Sequence, residues 1–181
     1  MQYVPYFIVR GLPGSGKSYL AERVVGIEIV DPDRLKIEID GVSSPANRKY
    51  RVNLIEATHF IEVRKPFAWV QCWSKVWGIA HTVEVLEGLQ NTETFPYPVV
   101  VEVNAPFKEA YRRFKLARDL NGEDVISFDS YCQKYVAGWE EAVVSWNFVH
   151  KLNNNYSKTT VAEFQTIFNK YLSLGFSQPR G

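Results

Sequence analysis

Eight residues, Gly11 to Ser18, read GLPGSGKS, and their three glycines, one proline and one lysine suit neither a helix nor a strand. They match G-x-x-x-x-G-K-[ST] and stand between an apolar run at 6–10 and a stretch of helical period. Glycines let the backbone curl with its N–H groups turned inward, a cup for phosphate oxygens, and a helix starting near Lys17 adds the positive end of its dipole. In such a cup Lys17 reaches the β- and γ-phosphates of a nucleotide, where it also serves catalysis, and the Ser18 hydroxyl takes one position on Mg²⁺. Pro13 stiffens the turn. The residues expected to touch nucleotide are Gly11, Leu12, Pro13, Gly14, Ser15, Gly16, Lys17, Ser18 and Tyr19. The guanine-reading pattern N-K-x-D is missing, since NKYL at 169–172 lacks the acid, so ATP is expected over GTP.

Two carboxylates stand two apart in IVDPDRLKIEI, where a second strand ends. Ligands of open α/β sheets bind outside the carboxyl ends of the strands, so one of Asp31 and Asp33 can hold the metal's water shell while the other takes a proton from an attacking hydroxyl. The plainer reading makes Asp31 a helix cap before Pro32 and Asp33 a dipole partner. Arg112, Arg113 and Arg118 follow a fourth apolar run. Phosphoryl transfer spreads negative charge over equatorial oxygens, and a guanidinium swung over them stabilises it, with Arg113 and Arg118 the best placed. An ordinary pair of Glu109 with Arg113, four residues apart, explains the same spacing without catalysis.

These groups need a scaffold. Apolar runs at 6–10, 27–30, 67–73, 99–103 and 147–152 predict strands. Segments near 17–25, 50–64, 74–90, 106–119, 127–144 and 159–173 predict helices between and after them, with Asn104 a candidate cap for the fourth crossover. GVSSPANRKY at 41–50 and NTETFPYP at 91–98 read as surface loops. The 181 residues suit one domain spanning 1–181. Twenty-one Lys and Arg nearly balance twenty Asp and Glu, so no global field draws the chain to nucleic acid or membrane, and any basic site is local. Cys72 and Cys132 lack metal-ligand spacing and suit a reducing compartment, with Cys72 expected to be buried. Without an export leader or a long uncharged apolar run, the protein is expected to be cytoplasmic and off the membrane.

GLPGSGKS, DPDRLK and YRRFKLARDLNGEDVISFDSYCQKY together resemble P-loop kinases that phosphorylate hydroxyl groups: polynucleotide 5′-hydroxyl kinases, zeta toxins, and shikimate or gluconate kinases. The resemblance implies a three-layer α/β P-loop NTPase fold, a five-stranded parallel sheet of order 2-3-1-4-5 flanked by helices, with a lid at about 112–135. It implies Asp33 as base with Lys36 as phosphate contact, or Asp31 with Arg34 two residues earlier; a second relative pattern gives Asp31 to the metal and Asp33 to the substrate. The function implied is transfer of the γ-phosphoryl group of ATP, with Mg²⁺, to a nucleic-acid 5′-hydroxyl or to a small metabolite or nucleotide. A nucleotide-dependent regulatory or assembly ATPase without an acceptor is the alternative. The third strand ends QCWSK where relatives carry an acid; Glu102 is a substitute candidate, against simple burial in its strand.

Weaker signals remain. Arg48, Lys49 and Arg51 around Tyr50 suit a phosphate contact or a surface loop equally. Trp69, Trp73 and Trp77 read mainly as core and secondarily as a stacking platform for a base. His59, His81 and His150 lack ligand spacing, and the asparagines at 153–155 read as a turn.

Overall fold

The computed structural model describes residues 2–32, 46–140 and 149–175, with side chains throughout except at 46–49, 174 and 175. The first strand, β1 (Gln2–Arg10), is buried from Val4 to Arg10. A sheet covered on both faces demands such a continuous apolar run. β2 (Glu28–Val30), β3 (Phe67–Val70), β4 (Thr94–Asn104) and β5 (Val149–Asn153) join it in the order β2-β3-β1-β4-β5, every pairing parallel. The helices are α1 (Lys17–Ala21), α2 (Ala46–Glu62), α3 (Val76–Glu87), α4 (Phe107–Leu120), α5 (Phe128–Tyr131) and α6 (Lys158–Gly175). α5 runs on into a π-helical turn at Cys132–Val136. The expected strand order and the helix-flanked sheet are therefore observed.

Alternation along β1 divides the core into two layers. Phe7 and Val9 pack with Leu20 of α1, Val101 of β4, and Phe164 and Phe168 of α6. Tyr6 and Ile8 pack with Ile61 of α2, Trp69 of β3, Ile79 of α3 and Val100 of β4. Much of the aromatic content is spent here: the rings of Phe7 and Phe168 stack at 3.9 Å, and Trp69 meets Trp73 edge-on at 5.3 Å. Trp69 and Trp73 are thus core, while Trp77 is 70% exposed on the first turn of α3.

Several boundaries differ from expectation for local reasons. β3 stops at Val70 rather than 73, and Trp73 adopts a φ of 51°, which no strand residue can. α1 closes at Ala21 rather than 25, where bonds from Arg23 N–H to the Leu20 carbonyl and from Val24 N–H to the Ala21 carbonyl tighten the last turn. Thr94–Pro98, expected in a loop, opens β4 and pairs with β1 from Gln2↔Thr94 onward. Pro96 and Pro98 are tolerated because, among the described residues, β5 pairs with β4 only from Val100, so no described strand asks that side of the segment for a donor. Asn91 starts the strand by accepting the N–H groups of Glu93 and Thr94 on its side-chain oxygen.

Asn104 does not cap α4; it ends β4, its carbonyl takes the Asn154 N–H, and Pro106 holds the cap position. The helix expected over 127–144 is short, because after the π turn the chain docks on the β3–α3 connection through Glu140 N–H to the Ser74 carbonyl. Residues 141–144 lie outside the described residues, as do 41–45 of the expected loop. Cys72 is half-buried rather than buried, and neither cysteine is in a disulfide. No helix among the described residues is long and apolar enough to cross a membrane.

The Phe7–Phe168 stack ties the last helix to the central strand. Phe168→Ala is expected to lower stability by about 3–5 kcal/mol, read as a shifted urea midpoint at unchanged slope. A midpoint equal to that of the parent would show that α6 is held elsewhere.

Candidate functional site

The chain leaves β1 through Gly11 and returns at Lys17 into α1, and the carbonyls from Leu12 to Gly16 each have a donor. Leu12 accepts the Ser15 N–H at 2.9 Å and Gly16 accepts the Leu20 N–H at 3.0 Å. The three carbonyls between are tied from outside the loop. Pro13 accepts the Tyr131 hydroxyl at 2.8 Å, Gly14 accepts the Tyr156 hydroxyl at 2.8 Å, and Ser15 accepts the Asn154 amide at 2.7 Å. With the oxygens directed outward, the N–H groups at the start of α1, which have no intrahelical partner, are left for an anion. Lys17 and Ser18 are half-buried at this helix start; Tyr19 is exposed, its ring covered by Arg23 at 3.4 Å.

The glycines are held by conformation and by close neighbours. Gly14 and Gly16 sit at φ of 83° and 88°. A Cβ on Gly14 would come within 1.9 Å of the Ala110 carbonyl oxygen in α4, and one on Gly16 within 2.4 Å of the Asn154 amide nitrogen. A Cβ on Gly11 would lie 2.4 Å from the Ser15 hydroxyl and 2.7 Å from the Val103 carbonyl. The loop therefore presses directly on α4, on β4 and on the turn after β5.

Of the expected site residues, Arg113 comes nearest this loop through a chain of contacts. Its guanidinium lies 3.1 Å from the centre of the Tyr156 ring, whose hydroxyl holds Gly14, and its Nε donates to Glu109 at 2.9 Å. Arg112 grips the same carboxylate with two bonds of 2.8 Å. Arg118 turns the other way, donating to the Asp124 carbonyl and pairing with Glu123 at 3.0 Å beyond the end of α4. Asp31 is buried just after β2, followed by Pro32 in helical conformation. Asp33, Arg34 and Lys36 lie outside the described residues, as do the side chains of Arg48 and Lys49. Glu102 is buried beside Arg10, 3.4 Å away. Among the described residues no three His, Cys, Asp or Glu side chains cluster as a metal site. Mg²⁺ typically takes one or two carboxylates and substrate phosphates instead.

Asn154, Tyr131 and Tyr156 escaped the sequence reading. Asn154 lay in view, within the run of asparagines after the fifth apolar stretch, but turn formation explained it. The tyrosines carry no motif, although Tyr156 is in the left-handed region at φ 60°, held by its N–H on the Asn154 side-chain oxygen.

No family model and no curated protein matches the chain. Solved structures do. A protein from Chloroflexus aurantiacus j-10-fl described as a kinase superposes with a TM-score of 0.73 at 15% identity, covering 96% of this chain and 99% of that one. A gluconokinase from Sinorhizobium meliloti 1021 gives 0.59 at 15% identity, covering 96% and 99%. A chain of the Pnkp1/Rnl/Hen1 RNA repair complex gives 0.63 at 17% identity, covering 82% of this chain and 48% of its own. The fold is that of P-loop kinases.

Two measurements check this geometry. Gly14→Ala, straining φ and striking the α4 backbone, is expected to cost roughly 2–6 kcal/mol, whereas Gly26→Ala, at φ 90° with nothing within 4 Å, costs only about 1–2 kcal/mol; equal losses would remove the α4 contact from the account. The Glu109 carboxyl, held chiefly by hydrogen bonds from Arg112 and then Arg113, sits at about 2 instead of 4.5. Because the folded value is depressed, the clamp's stabilisation is complete above the ordinary carboxylate value and disappears as pH falls toward 2. A carbon-detected NMR titration should find that midpoint, and one near 4.5 would mean the arginines are not clamped.

Proposed function

We propose that the protein is a kinase moving the γ-phosphoryl group of ATP onto a hydroxyl acceptor. The single observation that carries this is the turn from Gly11 to Ser18, whose carbonyls at 13–15 are tied by side chains from outside the loop, while the first N–H groups of the helix it enters have no intrahelical partner. The likeness to kinase structures supports the same reading at the level of fold.

Lys17 meets the β- and γ-phosphates, with the backbone from Gly11 to Tyr19 around them. Ser18 and Asp31 would hold Mg²⁺, which draws charge off the phosphate oxygens when bound. Asp33 takes the acceptor proton as the acceptor oxygen forms a bond to the γ-phosphorus; the bond from that phosphorus to the bridging oxygen breaks, and ADP leaves with the electron pair. Arg113, stored on Tyr156 and Glu109 beside the loop, supplies the guanidinium that spreads over the transferring oxygens. Arg118 joins it only if the 112–135 segment closes, since its present partners hold it at the far end of α4. The acceptor is a small hydroxyl compound or the 5′-hydroxyl of a single-stranded nucleic acid. A reducing compartment such as the cytoplasm fits two cysteines that form no disulfide.

The test is labelled ATP with a panel of hydroxyl acceptors, run on the parent, Lys17→Ala and Asp33→Asn. Lys17→Ala is expected to abolish transfer. Asp33→Asn should slow turnover about 10²–10⁴-fold with ATP affinity held within a factor of about two. An unaffected rate in Asp33→Asn would take that residue out of the role of base.

A further inference from the structure

On the sheet face covered by α2 and α3, apolar rows run across the strands, with Val100, Ile8, Trp69 and Val30 all packed in that layer. One step further toward the strand ends the row becomes polar. Arg10 stands opposite Glu102 in the β1–β4 register, and a bond from Gln71 N–H to the Val9 carbonyl at 3.1 Å carries the β1–β3 ladder past Val70, setting Gln71 on its other side. Gln71 accepts the Trp69 indole N–H at 3.2 Å, which fixes it to the same face.

Arg10 is fully buried and Glu102 is 3% exposed. Their ends approach at 3.4 Å as an ion pair, yet among the described residues Arg10 Nε and Nη1 and Glu102 Oε2 have no hydrogen-bond partner. Nη2 is spent on the Glu140 carbonyl, and the Trp139 ring lies 4.1 Å from the guanidinium carbon, so the plane is fixed with two donor edges unspent. Leaving such groups unsatisfied in a buried place is costly, and a structural strut has no use for it. The row lies at the carboxyl ends of the central strands, where ligands of open α/β sheets bind.

We propose that Glu102, Arg10 and Gln71 form the floor of the acceptor site, and that the acceptor is a charge-neutral, hydroxyl-rich molecule of the sugar or polyol type; this rests on the kinase reading above. A hydroxyl both donates and accepts, and the row offers guanidinium N–H donors beside a carboxylate acceptor. The ion pair already sums to zero, so an anionic acceptor would bring a second negative group against Glu102 in a poorly solvated place, an arrangement that selects against it. Entry is past Gln71 and Cys72, both half-buried, and requires Trp139 and Glu140 to lift. Glu140 is held by exposed groups, Lys75 Nζ at 3.1 Å and the Val76 N–H at 2.9 Å.

The experiment measures transfer from Mg-ATP to neutral sugars and polyols, to the matching sugar acids, and to a 5′-hydroxyl oligonucleotide. The full chain should favour the neutral compounds over their acids by at least about tenfold in kcat/KM, the discrimination expected from one uncompensated buried charge. Glu102→Gln, which leaves Arg10 unbalanced, should move that preference toward the acid. Should this variant not fold, Arg10→Met with Glu102→Leu removes both charges together; acceptor KM should then rise with ATP affinity unchanged. Preference of the parent for an acid or for the oligonucleotide overturns this proposal and leaves the kinase reading standing, whereas ATP hydrolysis without transfer to any acceptor overturns both. An unchanged acceptor KM in the double variant reduces the pair to a strut for the Trp139–Glu140 segment.

Discussion

A peptide unit carries its N–H and its C=O on opposite sides, so a backbone that turns successive amides toward one point must turn the matching oxygens into its surroundings. Those oxygens require donors. From Leu12 to Gly16 the donors come from four places: Tyr131 on α5, Asn154 and Tyr156 beyond β5, Ser15 of the loop itself, and Leu20 of α1. The inward cup is thus a property of the whole upper edge of the sheet. Elements distant in sequence are fixed by the same few bonds, and α4 packs so closely that only a glycine at 14 fits beneath the Ala110 carbonyl.

The two faces of the sheet do different work. Under α1 and α6 the packing is apolar along β1 and β4, from Phe7 and Val99 up to Val103 beside the loop, and this side braces the nucleotide end. Under α2 and α3 the strand side chains are apolar until the last row, where Arg10, Glu102 and Gln71 replace aliphatic ones, and the helices themselves bury Asn53 and Thr82. Burying charge there without completing its hydrogen bonds lowers stability. Tyr156 adds local strain in its left-handed backbone, and Arg113 rests against its ring. These departures from a quiet core stand at the carboxyl ends of the strands, where a fold can give up stability for function.

Much of this was legible beforehand, and what was not has physical causes. The loop showed itself because glycine, lysine and serine at fixed spacing are demanded by backbone geometry. The strand order followed from the resemblance that motif supports. Pro96 and Pro98 look like breakers in the sequence; only the register shows them inside β4, paired with β1 and with no described partner on the other side. Asn154, Tyr131 and Tyr156 were hidden because a donor to a main-chain oxygen can be any of several residue types at any distance along the chain. Arg10 passed as the end of an apolar run, since its burial depends on Glu102, ninety-two positions later, and on Trp139.

The prolines of β4 do something besides permit the strand. A strand flank without a neighbour is a template on which another molecule can add its own backbone, the first step of sticky self-association. Along Thr94–Pro98 two of the five residues lack the hydrogen such an addition would need. Where that flank has no partner among the described residues, the two prolines blunt it chemically against such an addition.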